Sequence, residues 1–126
     1  MATEQPLFKV GTLKAAADLS AKQYRCLKVT ADETLNIATA AGENIFGVLQ
    51  DKPLAGAPCE MMCIGITKLV IGAGGLAAGA IWETAADGSG ITVAAAKVGL
   101  GTVIKGGAAG ELATVSIGFA QGATIP

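Results

Sequence analysis

Histidine is missing from this 126-residue chain. With it goes the side chain that most often serves as a general base near neutral pH. Charge is scarce as well: charged residues make up 15% of the sequence, against about 25% in an ordinary globular protein. Nine Lys and Arg stand against ten Asp and Glu, for a net charge of −1. No basic surplus is available to neutralise phosphates, so nucleic acid is not an expected partner. Aromatic residues are only 4%, which leaves few large side chains to fill a core. Cysteine is present three times, as Cys26, Cys59 and Cys63. An odd count without a dense framework reads as reduced thiols rather than a disulfide scaffold. On one strand Cys59 and Cys63 would stand ~13 Å apart, too far to share a metal or a disulfide. Long apolar runs are lacking too. The most apolar uncharged stretch, 69–82, is broken by Gly72, Gly74, Gly75 and Gly79 and falls short of the ~20 residues that a spanning helix needs. No membrane partner is expected. The opening Met1-Ala2-Thr3-Glu4-Gln5-Pro6 has neither a basic nor an apolar leader region, so no export signal is expected.

What the chain does contain is apolar and small. Hydrophobic residues are 52% and the mean hydropathy is +0.55, which excludes disorder. Much of that share is Ala and small aliphatics, alongside 18 Gly, so the core is expected to be thin and to need help from oligomerisation or a partner. The length fits one domain. Residues 1–17, with Pro6 and scattered apolar positions but no sustained period, read as an extended N-terminal arm. From 18 to 126 the chain reads as a β-domain. Short Val-, Ile- and Thr-rich runs at 23–30, 34–38, 45–50, 59–71, 80–84, 91–95, 99–105 and 112–119 recur every ~8–12 residues between Gly- and Asp-containing turns. The expected fold is therefore all-β, a small sandwich- or barrel-like domain. The best helical candidate is the short segment 76–82.

Order within the runs repeats. Gly47, Gly56 and Gly65 in the first half answer to Gly101, Gly110 and Gly118 in the second, the first two pairs at an identical offset. Ala31-Asp32 matches Ala86-Asp87, and Leu19 with Tyr24 matches Leu76 with Ile81, at offsets only slightly larger. This predicts two pseudo-repeated β-units, roughly 19–65 and 76–118, with 47–65 and 101–118 as equivalent hairpins. Glycine at the Ala55-Gly56 and Ala109-Gly110 corners suits a tight turn, because it adopts positive φ at little steric cost.

Chemistry-bearing motifs are weak. Gly72-Ala73-Gly74-Gly75-Leu76-Ala77 after Lys68-Leu69-Val70-Ile71 imitates a dinucleotide loop. Its context fails: no crossover helices precede it, and Thr92 stands where an acid should meet a ribose. It reads as a Gly-rich corner between the halves. Ser20, Ser89 and Ser116 lack a nucleophile-elbow context. Glu43, Asp51, Glu60, Glu83, Asp87 and Glu111 fall mostly at turns or strand edges, and Trp82 and Tyr24 read as fillers of a small-residue core. No catalytic, cofactor or metal residues are assigned, and no enzyme activity is expected.

One pattern has a familial look. Asp18-Leu19-Ser20-Ala21-Lys22-Gln23-Tyr24-Arg25, Ala31-Asp32, Gly47-Val48-Leu49-Gln50-Asp51-Lys52-Pro53, Ala55-Gly56 and Gly65-Ile66-Thr67-Lys68-Leu69-Val70 together resemble the capsid cement, or head decoration, proteins of tailed phages. Ala109-Gly110-Glu111 with Val115-Ser116-Ile117 resembles that family's closing strand. The resemblance spans about 18–118 and implies a non-enzymatic virion protein. It would be made in the host cytoplasm, form a homotrimer and bind major capsid protein on the outer surface of the expanded head, stabilising the shell against internal DNA pressure. The arm, anchored by Pro6, Leu7, Phe8, Val10 and Leu13, is expected to carry capsid contact by adding a strand to a sheet edge. Two other classes compete: a small ligand-binding β-domain, which would need a polar pocket, and a surface or adhesin module, which would need an export signal.

Overall fold

The computed structural model describes residues 2–94 and 99–118, all of them in strands, turns, bends or irregular segments. Among the described residues, nine strands run in chain order: β1 Gln5–Ala15, β2 Cys26–Ala31, β3 Thr34–Ile37, β4 Gly47–Leu49, β5 Pro58–Val70, β6 Ile81–Thr84, β7 Gly90–Thr92, β8 Gly101–Lys105 and β9 Leu112–Ile117. The protein is all-β, and the strand-rich runs read from the sequence fall on β2 to β9. Ala95 and Phe119, at the ends of two of those runs, lie outside the described residues.

The pairing forms two small rings that share β5. In the first, β1, β3, β2, β4 and β5 follow one another, and β5 closes antiparallel onto β1. In the second, β5, β9, β8, β6 and β7 do the same, closed by a parallel bridge between Ile71 and Gly90. Each ring has one parallel contact, β1–β3 in the first and the Ile71–Gly90 bridge in the second. Closure hides most strand edges, the usual barrel solution to unpaired backbone groups. The residue pairs also correspond. Leu49 opposite Met61 answers to Val103 opposite Val115. Leu27 opposite Ile37 and Gly47 answers to Trp82 opposite Thr92 and Gly101. The hydrogen bond from Ala15 N to Ala57 O answers to that from Ile71 N to Glu111 O.

Two cores fill the rings. Ala15, Leu19, Leu27, Leu35, Leu49, Cys59 and Met61 form the first. The second includes Ile71, Leu76, Trp82, Val103, Ala113 and Val115. Taken in chain order, these are the counterparts of six of those seven, from Ala15 with Ile71 to Met61 with Val115. The seventh, Leu35, answers to Gly90. The exchange is compensating in direction: Trp82 stands for Leu27 and Gly90 for Leu35, and the space a Cβ at Gly90 would need is held by Leu69. Such compensation keeps a core at crystal-like density. At Met61 and Met62 both side chains are buried, one in each core. Cys26–Leu27 on β2 and Val48–Leu49 on β4 divide in the same way, so the break in period-2 alternation comes from first-ring strands being buried on both faces, with the second core against one of them.

Two expectations change. Segment 76–82 is not helical: Leu76 bridges Gly107 and the chain then enters β6. Gly79 within it, and Gly74 and Gly75 just before it, have positive φ, which a right-handed helix does not accommodate. Residues 5–15, read as an arm outside the domain, are β1, a wall of the first ring. The segment pairs antiparallel with β5 from Gln5–Ile66 to Lys14–Pro58, with three register shifts. Those bulges, together with Gly11, erase the alternation by which a strand is normally recognised.

Candidate functional site

Among the described residues, no group of three or more His, Cys, Asp or Glu side chains is placed to hold a metal ion. Among the described residues, no helix is long and apolar enough to cross a membrane. The thiols stay apart from any acid–base partner set: Cys26 and Cys59 are buried and Cys63 is half-buried. Burial is the largest cause raising all three pKa values, with the Cys26 thiol pushed up to about 12. Neutral thiols are poor nucleophiles. Trp82 is fully buried and its indole N–H donates to the Ser116 carbonyl at 2.9 Å, so it is a core filler with a satisfied polar handle. Tyr24 is half-buried, with the Lys68 ammonium 5.6 Å from its ring centroid.

The feature that stands out is an apolar surface. Val29 on β2 is 57% exposed, Phe46 before β4 is 43%, and Ile64 on β5 is 37%. Val29, Ile45 and Phe46 line a notch of about 120 Å³ with Asn44. Ile45 and Phe46 continue into a second notch of about 250 Å³ with Cys63, Leu100, Ile117 and Gly118. Ile64 borders it, since its side chain lies where a Cβ on Gly118 would fall.

Phe46 is held outward by a local anchor. The Glu43 carboxylate accepts the backbone N–H groups of Thr39 and Ala40 and pairs with the Lys28 ammonium at 3.2 Å. Those contacts fix the loop between β3 and β4. The Thr39 N–H is the main reason the Glu43 carboxyl lies below its usual range, followed on the same side by Lys28. At the loop's end the Phe46 N–H donates to the Leu27 carbonyl at 2.8 Å. The aromatic ring is thus presented from a segment tied down at Glu43 and at its own backbone N–H. An apolar patch so displayed does no chemistry by itself; it is suited to binding another surface.

A broader groove of about 650 Å³ lies at the other ring, lined by Ala73, Gly74, Gly75, Ala85, Ala86, Asp87, Ser89, Ile91 and Thr92. Its charged side chain is Asp87, which is engaged: it accepts the Ser89 N–H and hydroxyl and meets Arg25 at 3.3 Å. The Gly-rich segment therefore forms one wall of a groove beside β7.

The five arm residues are spread along β1. Pro6 is exposed, whereas Val10 and Leu13 are half-buried and pack on the first core. The side chains of Leu7 and Phe8 lie outside the described part of the structure. The sequence reading missed Val29, Phe46 and Ile64. The available signal was adjacency, in Ile45-Phe46 and Cys63-Ile64. Two apolar neighbours on an extended chain point to opposite faces, so one of each pair must face outward or be covered.

No family model matches the chain, and no curated protein is significantly similar to it. Among solved structures, the fold is similar to that of the head fiber gp8.5 N base of bacteriophage phi29. The TM-score is 0.70 at 19% identity, over 88% of this chain and 95% of that one. At this identity the likeness is one of fold.

Proposed function

We propose that the chain is a duplicated β-unit serving as a structural protein of a tailed-phage virion, bound to the outer surface of the head. The observation that carries the reading is the near full-length likeness to a phage head fiber base. The sequence resemblance to head decoration proteins, made on other grounds, points the same way. The apolar patch of Val29, Ile45, Phe46 and Ile64 supplies a contact surface. With Val10 and Leu13 turned into the first core, the proposal assigns head contact to this patch rather than to the five arm residues. The partner is major capsid protein, and the role is to clamp neighbouring subunits against internal pressure. The resemblance implies three copies per site.

Quantitative mass spectrometry of purified virions tests the reading. An abundant chain in fixed ratio to major capsid protein supports it, and absence from virions overturns it. A Phe46→Asp variant that folds normally should lose head binding at least tenfold; full binding would move the contact elsewhere.

A further inference from the structure

The two rings differ at one mouth, and the difference leaves a strand edge open on β7. In the ladder between β6 and β7, Ala85 N bonds Ser89 O and Val93 N bonds Ile81 O, on either side of the pair Glu83–Ile91. Bonded and non-bonded pairs alternate in an antiparallel ladder, so the backbone groups of Gly90 and Thr92 point away from β6. The Gly90 carbonyl accepts the Gly72 N–H at 2.8 Å. Past Gly72 the chain turns off through Gly74 and Gly75, both at positive φ. The N–H and C=O of Thr92, an exposed residue, meet no partner among the described residues.

The first ring stops the same edge. There the Ala16 N–H meets the Leu35 carbonyl as Gly72 meets Gly90, and Ile37 stands where Thr92 does. The Ile37 N–H is taken by the side-chain oxygen of Asn36 at 2.8 Å. The counterpart of Asn36 is Ile91, which has no oxygen to offer. The second ring also has one residue more between Gly72 and the buried Leu76 than the first has between Ala16 and the buried Leu19. With that residue and the two glycines the chain bows away from Thr92, and a hollow of about 650 Å³ lies between them. A second hollow, of about 550 Å³, shares Gly74, Gly75 and Thr92 with it. The two form one trough that passes Thr92.

The lining selects the occupant. An unpaired N–H and C=O on a strand edge are matched by the backbone of an extended chain. The walls are mostly Gly and Ala, which leaves room for incoming side chains. The one charged lining side chain, Asp87, is already held by Ser89 and Arg25, so no free charge is present to meet an ionised group, and burying one there unpaired is costly. We propose that the trough at Thr92 is a strand-acceptor site, which takes an extended, uncharged, apolar segment of a different protein by backbone pairing to β7. This goes beyond the head-binding reading and does not depend on it. The trough shares no lining residue with the notches around Phe46, and each copy carries its own site whatever the number of copies.

Amide NMR of the isotope-labelled protein tests it, with a set of blocked hexapeptides built from Ala, Val and Thr as the probe. Titration should shift the Thr92, Gly74 and Gly75 signals saturably and leave Val29 and Phe46 in place. Thr92→Pro removes the free N–H at an edge position that accepts proline, and should weaken binding at least fivefold. Ile91→Asn installs the first ring's cap and should do the same, whereas Phe46→Asp should bind peptide like the unmodified protein. The spectrum of each variant shows whether it is folded, and hydrogen exchange of the unmodified protein gives a readout that needs no variant. Its Thr92 amide should exchange at least tenfold faster than the capped Ile37 amide. A protected Thr92, no shift with any peptide, shifts confined to other residues, or equal binding by folded Thr92→Pro overturns the proposal. Shifts at Thr92 that grow with protein concentration alone would assign the trough to a second copy and overturn it as well. None of these results bears on whether virions contain the chain.

Discussion

At the scale of single residues, burial decides reactivity. Cys26 is fully enclosed and its thiol is pushed up to about 12, Cys59 is 1% exposed, and Cys63 lies in a surface notch. Native protein at pH 8 should therefore label with a thiol reagent at Cys63 first, with Cys26 and Cys59 reacting only on unfolding. Peptide mapping after a timed pulse checks the order, and rapid labelling of Cys26 would show that the second core opens easily. Trp82 is the largest buried side chain of that core. Trp82→Ala should cost about 3–5 kcal/mol, as deletion of a buried large aromatic does, read from urea unfolding midpoints. Of the carboxylates held below their usual values, Asp18, Glu43 and Asp87, the last two are tied to distant parts of the chain and make stability fall with acid. Asp87 is lowered chiefly by the Ser89 hydroxyl, and Glu43 chiefly by the Thr39 N–H. A carboxyl depressed in the folded state adds stability that is present above its unfolded pKa and lost as pH falls through the folded value. With ordinary values of 3.8 and 4.5, the loss begins below about pH 4.5. Urea melts between pH 2.5 and 6 should show it, and Asp87→Asn with Glu43→Gln should flatten it.

At the scale of elements, the turns explain what was legible and what was not. The strands from β2 to β9 could be read because Val, Ile and Thr runs end at Gly or Asp, and those residues do turn the chain: Gly56 and Gly110 have positive φ at matching corners. In the segments 47–65 and 101–118 one pair lies at the same offset, Leu49 with Met61 and Val103 with Val115, whereas β8 has a register shift between Val103 and Lys105. β1 was not legible as a wall of the domain, because its three register shifts scatter its apolar residues between faces. Phe46 was not legible as a surface residue, since nothing in Ile45-Phe46 says which of the two points outward until the Glu43 anchor is in place. One turn gives a direct test of the correspondence between halves. Glu33, which follows Ala31-Asp32, has φ 52°, and its counterpart after Ala86-Asp87 is Gly88 with φ 81°. An L-residue in the left-handed region costs roughly 1–2 kcal/mol, offset in part by the extra unfolded freedom of glycine. Glu33→Gly should raise stability by about 0.5–1 kcal/mol, measured by thermal or urea unfolding, whereas a clear loss would mean the Glu33 side chain makes a contribution its counterpart does not.

At the scale of the whole molecule, two thin cores share one long strand, and neither ring is complete without β5. Sharing a wall lets a chain of small side chains bury both rings at once. It also predicts that the halves unfold together, as a single transition. The outer surface is left with few charges, an apolar patch around Phe46 and an open edge on β7, which together suit a protein that functions attached to others. The central claim, attachment to the outside of a phage head, is tested most directly by adding purified protein to heads that lack it and imaging them by electron cryo-microscopy. The account predicts added density at regular positions on the outer shell, into which the two-ring domain fits with Val29, Phe46 and Ile64 against major capsid protein. Heads that stay bare at saturating protein would contradict it.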